Sequence, residues 1–212
     1  SVYELARMRV AIADERWDAD PDVLVCVNGS LHIPTMALRA HRAEDYATSR
    51  VPYDYSPGTL APTWTWFLTK TIPDVVDFLQ EFAGYCLTTD TSLEIAVWLH
   101  GPPGSGKSTF IAGLQAMLGQ RAMVLGLADI ERSRFALSNL PGRTLAVATE
   151  QPATYVESGH ILNAMISGEP LPVERKFKDP YIITPRVKLC WAMNDLPRVG
   201  NANSGLFRRV KV

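Results

Sequence analysis

The sequence predicts an α/β domain, a parallel sheet with helices on its faces, preceded by a small α+β segment. Three observations carry this expectation. From residue 94 onward, short apolar runs alternate with helical stretches, the pattern of strand–helix–strand units. A glycine-rich loop at 101–106 separates the first of those runs from the first helix. Upstream, VLVCVNGSLHI places Asn28-Gly29 between two apolar runs, the strongest short-range hairpin signal.

The elements follow in order. Residues 1–70 read as a small α+β domain. Helical spacing covers 2–17, the hairpin follows, and 40–62 is an irregular stretch rich in Tyr and Pro. Tyr46, Tyr53 and Tyr55 read there as packing residues rather than a base-stacking platform. Residues 71–212 read as the core domain. The pattern from Trp64 to Leu87 is helical with a break at Pro73, and Val75, Val76, Leu79, Phe82 and Ala83 share one face. EIAVWLH, AMVLGL, TLAVAT and VKLCWAM are strand candidates. GKSTFIAGLQAMLG is a helix, and two further helices are expected over 131–140 and 156–167.

Composition removes several classes. Of 212 residues, 47% are hydrophobic and 20% charged, which excludes a largely disordered chain. No run of about 18 uncharged apolar residues exists, so no spanning helix and no membrane role are expected. The opening SVYELARMRV lacks a basic-then-apolar signal pattern, and without an initiator Met it reads as a fragment. Cys26, Cys86 and Cys190 are odd in number and form no CxxC. They read as reduced, buried thiols of a cytoplasmic protein, not a zinc site or a disulfide framework. The net charge of −1 conceals an asymmetry. Residues 1–170 carry 12 Lys+Arg against 19 Asp+Glu, net −7, and residues 171–212 carry nine against three, net +6. A basic end of this kind points to an anionic partner.

Gly101-Pro102-Pro103-Gly104-Ser105-Gly106-Lys107-Ser108 fits GxxxxGK[ST] at every fixed position, with a buried strand before it and a helix after it, and together with Thr109 it is the expected nucleotide-binding segment. Glycines let the backbone wrap a phosphate with its amides inward, and the helix N-terminus adds partial positive charge. Lys107 is placed to bridge the β- and γ-phosphates of ATP, and Ser108 to ligate Mg²⁺. Hydrolysis needs an acid as well. TLAVATE puts Glu150 at the end of a later strand, preceded by Thr149 where many P-loop enzymes carry Asp. Glu150 is therefore expected to do the acidic work, metal ligation included, largely alone. Asn194 closes VKLCWAM, where an amide can meet the γ-phosphate or the attacking water. Arg208-Arg209 offers guanidinium groups able to act from a neighbouring subunit.

In order, the P-loop, FALSNLPGRTLAVATE, ISGEPLPVERKFKDPYIITPRVKLCWAMNDLPR and GLFRRVKV resemble the superfamily 3 helicases of phage, plasmid and poxvirus primase–helicase proteins. The match covers about 94–212. VCVNGSLHI, HRAEDYATSRVPYDY and the Trp64–Phe67–Leu68 cluster resemble, more loosely, the small domain that precedes that core. The resemblance implies an AAA+-type ATPase core, with ATP bound between the subunits of a ring, usually a hexamer, that translocates on single-stranded DNA at a replication fork. It implies a basic hairpin over 168–178, with Arg175, Lys176 and Lys178 toward DNA. It implies Asn194 as the sensor and Arg208 or Arg209, with Arg209 favoured, as the residue supplied in trans. Relatives continue past the point where this chain ends, so the C-terminal part of the core is expected to be missing. A priming domain is expected upstream in the parent protein, and the host cytoplasm is the expected location. Phe177 reads equally as a base-stacking or a core residue. Three alternatives stay open: an ATP-dependent switch that binds DNA without processive unwinding, a P-loop kinase, and RNA as the track.

Overall fold

The computed structural model describes residues 12–13, 16–133, 135–151, 155–156, 159–199 and 205–212. The helix expected over 2–17 lies, but for a few residues, outside these. The first sheet is antiparallel and consists of β1 (Val23–Cys26), β2 (Gly29–His32) and β3 (Ala37–Arg39). Cys26 pairs with Gly29, so the hairpin turns on Val27-Asn28, one residue earlier than the Asn-Gly signal indicates. Asn28 serves the turn through its side chain. Its Nδ2 donates to the Tyr55 carbonyl at 3.0 Å, and its Oδ1 accepts the Tyr55 amide at 2.9 Å. Gly29 is needed for another reason, because a Cβ there would run into the Arg39 carbonyl oxygen of β3. Leu24, Cys26, Leu31 and Val51 bury a small core under this sheet.

Two helices follow, α1 (Pro62–Thr71) and α2 (Val76–Cys86), parted by a 3₁₀ turn at Pro73–Val75. The break falls at Pro73, as expected of a residue without an amide hydrogen. The rest alternates: β4 (Ala96–His100), α3 (Lys107–Leu118), β5 (Ala122–Val124), α4 (Leu127–Arg132), β6 (Leu145–Gln151), β7 (Tyr155–Val156), α5 (Gly159–Ser167), β8 (Leu171–Val173), β9 (Tyr181–Ile183), β10 (Lys188–Met193), β11 (Arg198–Val199), the helical turn α6 (Leu206–Arg209) and β12 (Val210–Lys211). The helix expected over 131–140 divides into α4 and a 3₁₀ turn at Ala136–Asn139. The start signal lies earlier: Asp129 accepts the Gly126 amide at 2.9 Å, and the Gln151 side chain accepts the Leu127 amide.

Five strands make one parallel sheet in the order β12-β4-β10-β6-β5. Its central strands β4, β10 and β6 are buried on both faces over most of their length, and alternation divides their side chains between two cores. Val97, Leu99, Leu145, Val147, Cys190 and Ala192 face Leu68, Leu79, Phe82, Phe110, Ile111 and Leu114 of α1, α2 and α3. Ala96, Trp98, Ala146, Ala148, Leu189 and Trp191 face α4, α5 and the β8–β9 hairpin. Trp98 and Trp191 stack at 6.4 Å, and the Trp191 indole donates to the Leu125 carbonyl at 2.9 Å. The three cysteines are free and buried. No helix among the described residues is long and apolar enough to cross a membrane.

At the start of β10, Lys188 is 1% exposed. Its Nζ donates to the Thr88 carbonyl at 2.6 Å and lies 4.4 Å from the centre of the Tyr85 ring. Burial pushes its ammonium down from 10.5 to about 7, while burial raises the neighbouring Cys86 thiol to about 12. Above pH 7 the unfolded chain therefore holds a Lys188 proton that the folded chain has shed, and stability rises with pH. The rise holds up to about pH 8.5, where unfolded thiols begin to ionise and the buried ones oppose it. We predict that urea midpoints of the wild type climb between these limits and that Lys188→Met flattens the climb.

Candidate functional site

The order of the parallel sheet creates one crevice. The chain leaves β4 toward β5 on one side, whereas it leaves β10 toward β12 on the other. The first connection packs α3 on one face of the sheet and the second packs α6 on the other, and adjacent strands whose connections part to opposite faces leave a gap at their carboxyl ends, the switch point where open α/β sheets bind ligands. The loop after β4 is the glycine-rich motif, and the residue after β10 is Asn194. An open cavity of about 720 Å³ lies there. Residues 103–109, 149–151 and 193–195 line it.

The loop is built as the motif requires. Gly104 and Gly106 have φ of 80° and 87°, a left-handed region that suits glycine. Gly106 is doubly constrained, because a Cβ would strike Thr71 Cγ2 of α1. The same helix covers α3: Trp64 stacks on Phe110 at 5.5 Å, and a Cβ on Gly113 would lie 2.7 Å from the Trp64 ring. The loop is thus clamped from the N-terminal side of the chain. Lys107 Nζ donates to the carbonyls of Gly101 at 2.6 Å and Pro102 at 2.8 Å, and to Ser105 Oγ at 3.3 Å. Gly101 and Pro102 therefore hold the lysine rather than line the cavity. Ser108 and Thr109 are exposed at the first turn of α3, within the cavity.

A β-bulge aims the acid. Ala148 pairs with Trp191 and Gln151 with Met193, so two residues of β6, Thr149 and Glu150, oppose the single residue Ala192. Strict alternation would put Thr149 and Glu150 on opposite faces. With the bulge, both are exposed and both line the cavity. Gln151 then returns inward and ties β6 to the start of α4. Two cavity residues, Asp195 and Gln151, escaped the sequence reading. Asp195 was visible as the acid after Asn194, and it brings a second carboxylate to the crevice from β10 rather than β6. Among the described residues, no three His, Cys, Asp or Glu side chains converge as a metal cage. Ser108, Glu150 and Asp195 supply oxygen donors to one cavity, the donor type that suits Mg²⁺ held jointly with phosphate.

The other sequence-selected residues lie apart from the crevice. Arg209, the favoured trans residue, is 8% exposed; its Nη2 pairs with Glu94 at 2.7 Å, and its Nη1 donates to the Gly205 carbonyl at 3.1 Å. It holds α6 against the segment before β4 and is not presented outward. Arg208 is exposed. The basic segment forms the expected hairpin, with Leu171 paired to Ile183 and Val173 to Tyr181. Leu171, Val173 and Ile183 root it in the core, while Arg175, Lys176 and Lys178 are exposed around the tip. Phe177 is 94% exposed at φ 61°, which removes its core reading. The Lys176 ammonium lies 5.2 Å from the Phe177 ring centre, and the Arg175 guanidinium 4.1 Å from that of Tyr181.

Comparison with known proteins places the chain in a family. Residues 99–209, rather more than half of it, match the family of unknown function DUF5906, and the chain belongs to that family. Residues 1–73 match a second family, described as D5 N terminal like. No curated protein matches. The A-form apo structure of the NrS-1 C terminal region is similar over the whole of this chain and 51% of that one, at TM-score 0.64 and 14% identity. Another apo structure of the NrS-1 C terminal region aligns with 71% of this chain and 36% of that one, at TM-score 0.56 and 18% identity. The likeness is one of fold, and this chain spans about half the length of the first of these structures.

The two arginines separate by measurement. Arg209→Ala is expected to lower stability by about 1–3 kcal/mol, mostly through the lost charge-assisted bond to the Gly205 carbonyl. Glu94 adds little, since its side chain is 42% exposed. Arg208→Ala leaves the denaturant midpoint where it is.

Proposed function

We propose that this member of the DUF5906 family is the ATPase module of a primase–helicase type replication protein, with an AAA+ core of superfamily 3. It hydrolyses ATP to move along single-stranded DNA and open duplex. The observation that carries the reading is the convergence of Lys107, Glu150 and Asn194, from three segments, on one cavity at the sheet's switch point.

The residues fit ATP and Mg²⁺. The amides of residues 104–108 and the Lys107 ammonium suit the phosphates once Lys107 exchanges its loop carbonyls for phosphate oxygens. Ser108 and Glu150, with Asp195 beside them, would hold Mg²⁺, which when bound offsets phosphate charge. Glu150 orients the attacking water and accepts its proton, and Asn194 contacts the γ-phosphate. Arg208, the exposed member of the pair, is the group offered to a neighbour's site in a ring. The hairpin tip supplies the track contact: Arg175, Lys176 and Lys178 meet backbone phosphates, and Phe177 stacks on a base.

Hydrolysis and unwinding measured on variants test this. Lys107→Ala abolishes hydrolysis. Glu150→Gln still binds nucleotide and turns over ~10²–10⁴-fold more slowly, the usual contribution of a positioned base. Replacing Lys176, Phe177 and Lys178 together by Ala removes stimulation by single-stranded DNA and removes unwinding. Unwinding at the wild-type rate by that triple variant contradicts the reading.

A further inference from the structure

A second cavity, of about 510 Å³, lies at the opposite end of the parallel sheet, where β5, β6 and β10 begin. Arg121, Thr89, Thr144, Arg186 and the hairpin residues Arg175 and Tyr181 are among its walls. Arg121 is 3% exposed. Its Nε is a buried donor without an acceptor, and the hydroxyls of Thr89 and Thr144 are buried without partners as well. Among the described residues, three of the orphaned buried polar atoms thus belong to residues that line one cavity. A native fold leaves few such atoms, and each costs the desolvation of its group unless a ligand completes it.

The charge balance has the same sense. Arg121, Arg186 and Lys188 lie close enough that Arg121 and Arg186 both depress the Lys188 ammonium. Burial itself disfavours the Arg121 cation. Asp18 is the carboxylate of the cavity wall, and it is engaged, accepting from the Thr48 amide at 2.9 Å and from the Thr48 hydroxyl. Asp18 also acts on Arg121, but only partly offsets the burial, and a buried cation incompletely balanced from within is suited to an anion from outside. A guanidinium whose Nε lacks an acceptor, in one cavity wall with two threonines, matches a phosphate. The volume exceeds that of a phosphate alone and lies in the range of small-molecule sites. Tyr181 and Trp17 add aromatic wall, and Leu140 and Ile183 apolar wall, suited to a base or sugar.

We propose that this cavity is a second phosphate-binding site of nucleotide size, distinct from the glycine-rich loop, with Arg121 as its central ligand. It stands independently of ATP hydrolysis. The phosphate can belong to a free mononucleotide or to a nucleotide of a strand led in by the hairpin, whose Arg175 and Tyr181 share the wall.

The test uses the full chain carrying Lys107→Ala, which silences the first site. Calorimetric titration with inorganic phosphate, AMP and a single-stranded oligonucleotide is compared with the same titrations after adding Arg121→Met or Thr144→Val. Expected is binding that Arg121→Met weakens by ~10- to 100-fold, the factor of a lost charge-assisted bond, and that Thr144→Val weakens less. Without ligand, Arg121→Met melts at a higher temperature than its parent, because it removes an incompletely balanced buried charge; a merely structural arginine would lower the melting point. Arg121-dependent binding of AMP assigns the site to a free nucleotide, and Arg121-dependent binding of the oligonucleotide alone assigns it to a strand. Absence of binding by all three probes, or affinities indifferent to Arg121→Met, overturns the proposal.

Discussion

The arrangement depends on the placement of β4. It lies inside the parallel sheet, between β12 and β10, and the chain leaves β4 and β10 in opposite directions. The two connections part to opposite faces of the sheet, so a crevice is left where the glycine-rich loop and Asn194 emerge. Burial on both faces makes the strands rigid, with Trp98, Trp191, Leu145 and Cys190 essentially without solvent contact. The crevice therefore has a fixed floor. Groups carried on its rim keep their positions without help from the ligand, the condition under which fixed dipoles and charges are most effective.

Two local devices turn that crevice into a candidate site. The bulge at Thr149-Glu150 brings both residues to the cavity side. The contact of Thr71 with Gly106, together with Trp64 on Phe110, presses α1 onto the loop and the helix that follows it. The helix ending at Thr71 thus belongs, by packing, to the environment of the glycine-rich loop. Movement of the upstream segment would be felt directly at the loop, since a well-packed contact transmits displacement rather than absorbing it.

Much of this was readable from sequence because it is local. The glycine-rich motif, the alternation of strands and helices and the break at Pro73 each depend on neighbouring residues, whereas the hairpin over 168–178 was legible through the family resemblance. What escaped depends on partners distant in sequence. A bulge is a property of two strands, so the outward aim of Thr149 and Glu150 was invisible in TLAVATE alone. Gly29 answers to β3 rather than to its own turn. Arg208 and Arg209 are equivalent as a dipeptide, and only the pairing of Arg209 with Glu94, 115 positions upstream, separates them. The Arg121 cavity draws on segments from Trp17 to Arg186 and has no sequence signature.

The site proposed above is one whose turnover is completed by a neighbouring subunit and coupled to a strand. The most direct test is steady-state ATP hydrolysis per subunit against protein concentration, with and without single-stranded DNA, on a chain extended through any native C-terminal continuation. A shared site of this kind gives a rate per subunit that climbs with concentration and rises again with DNA. A rate that is flat in concentration and indifferent to DNA would contradict it.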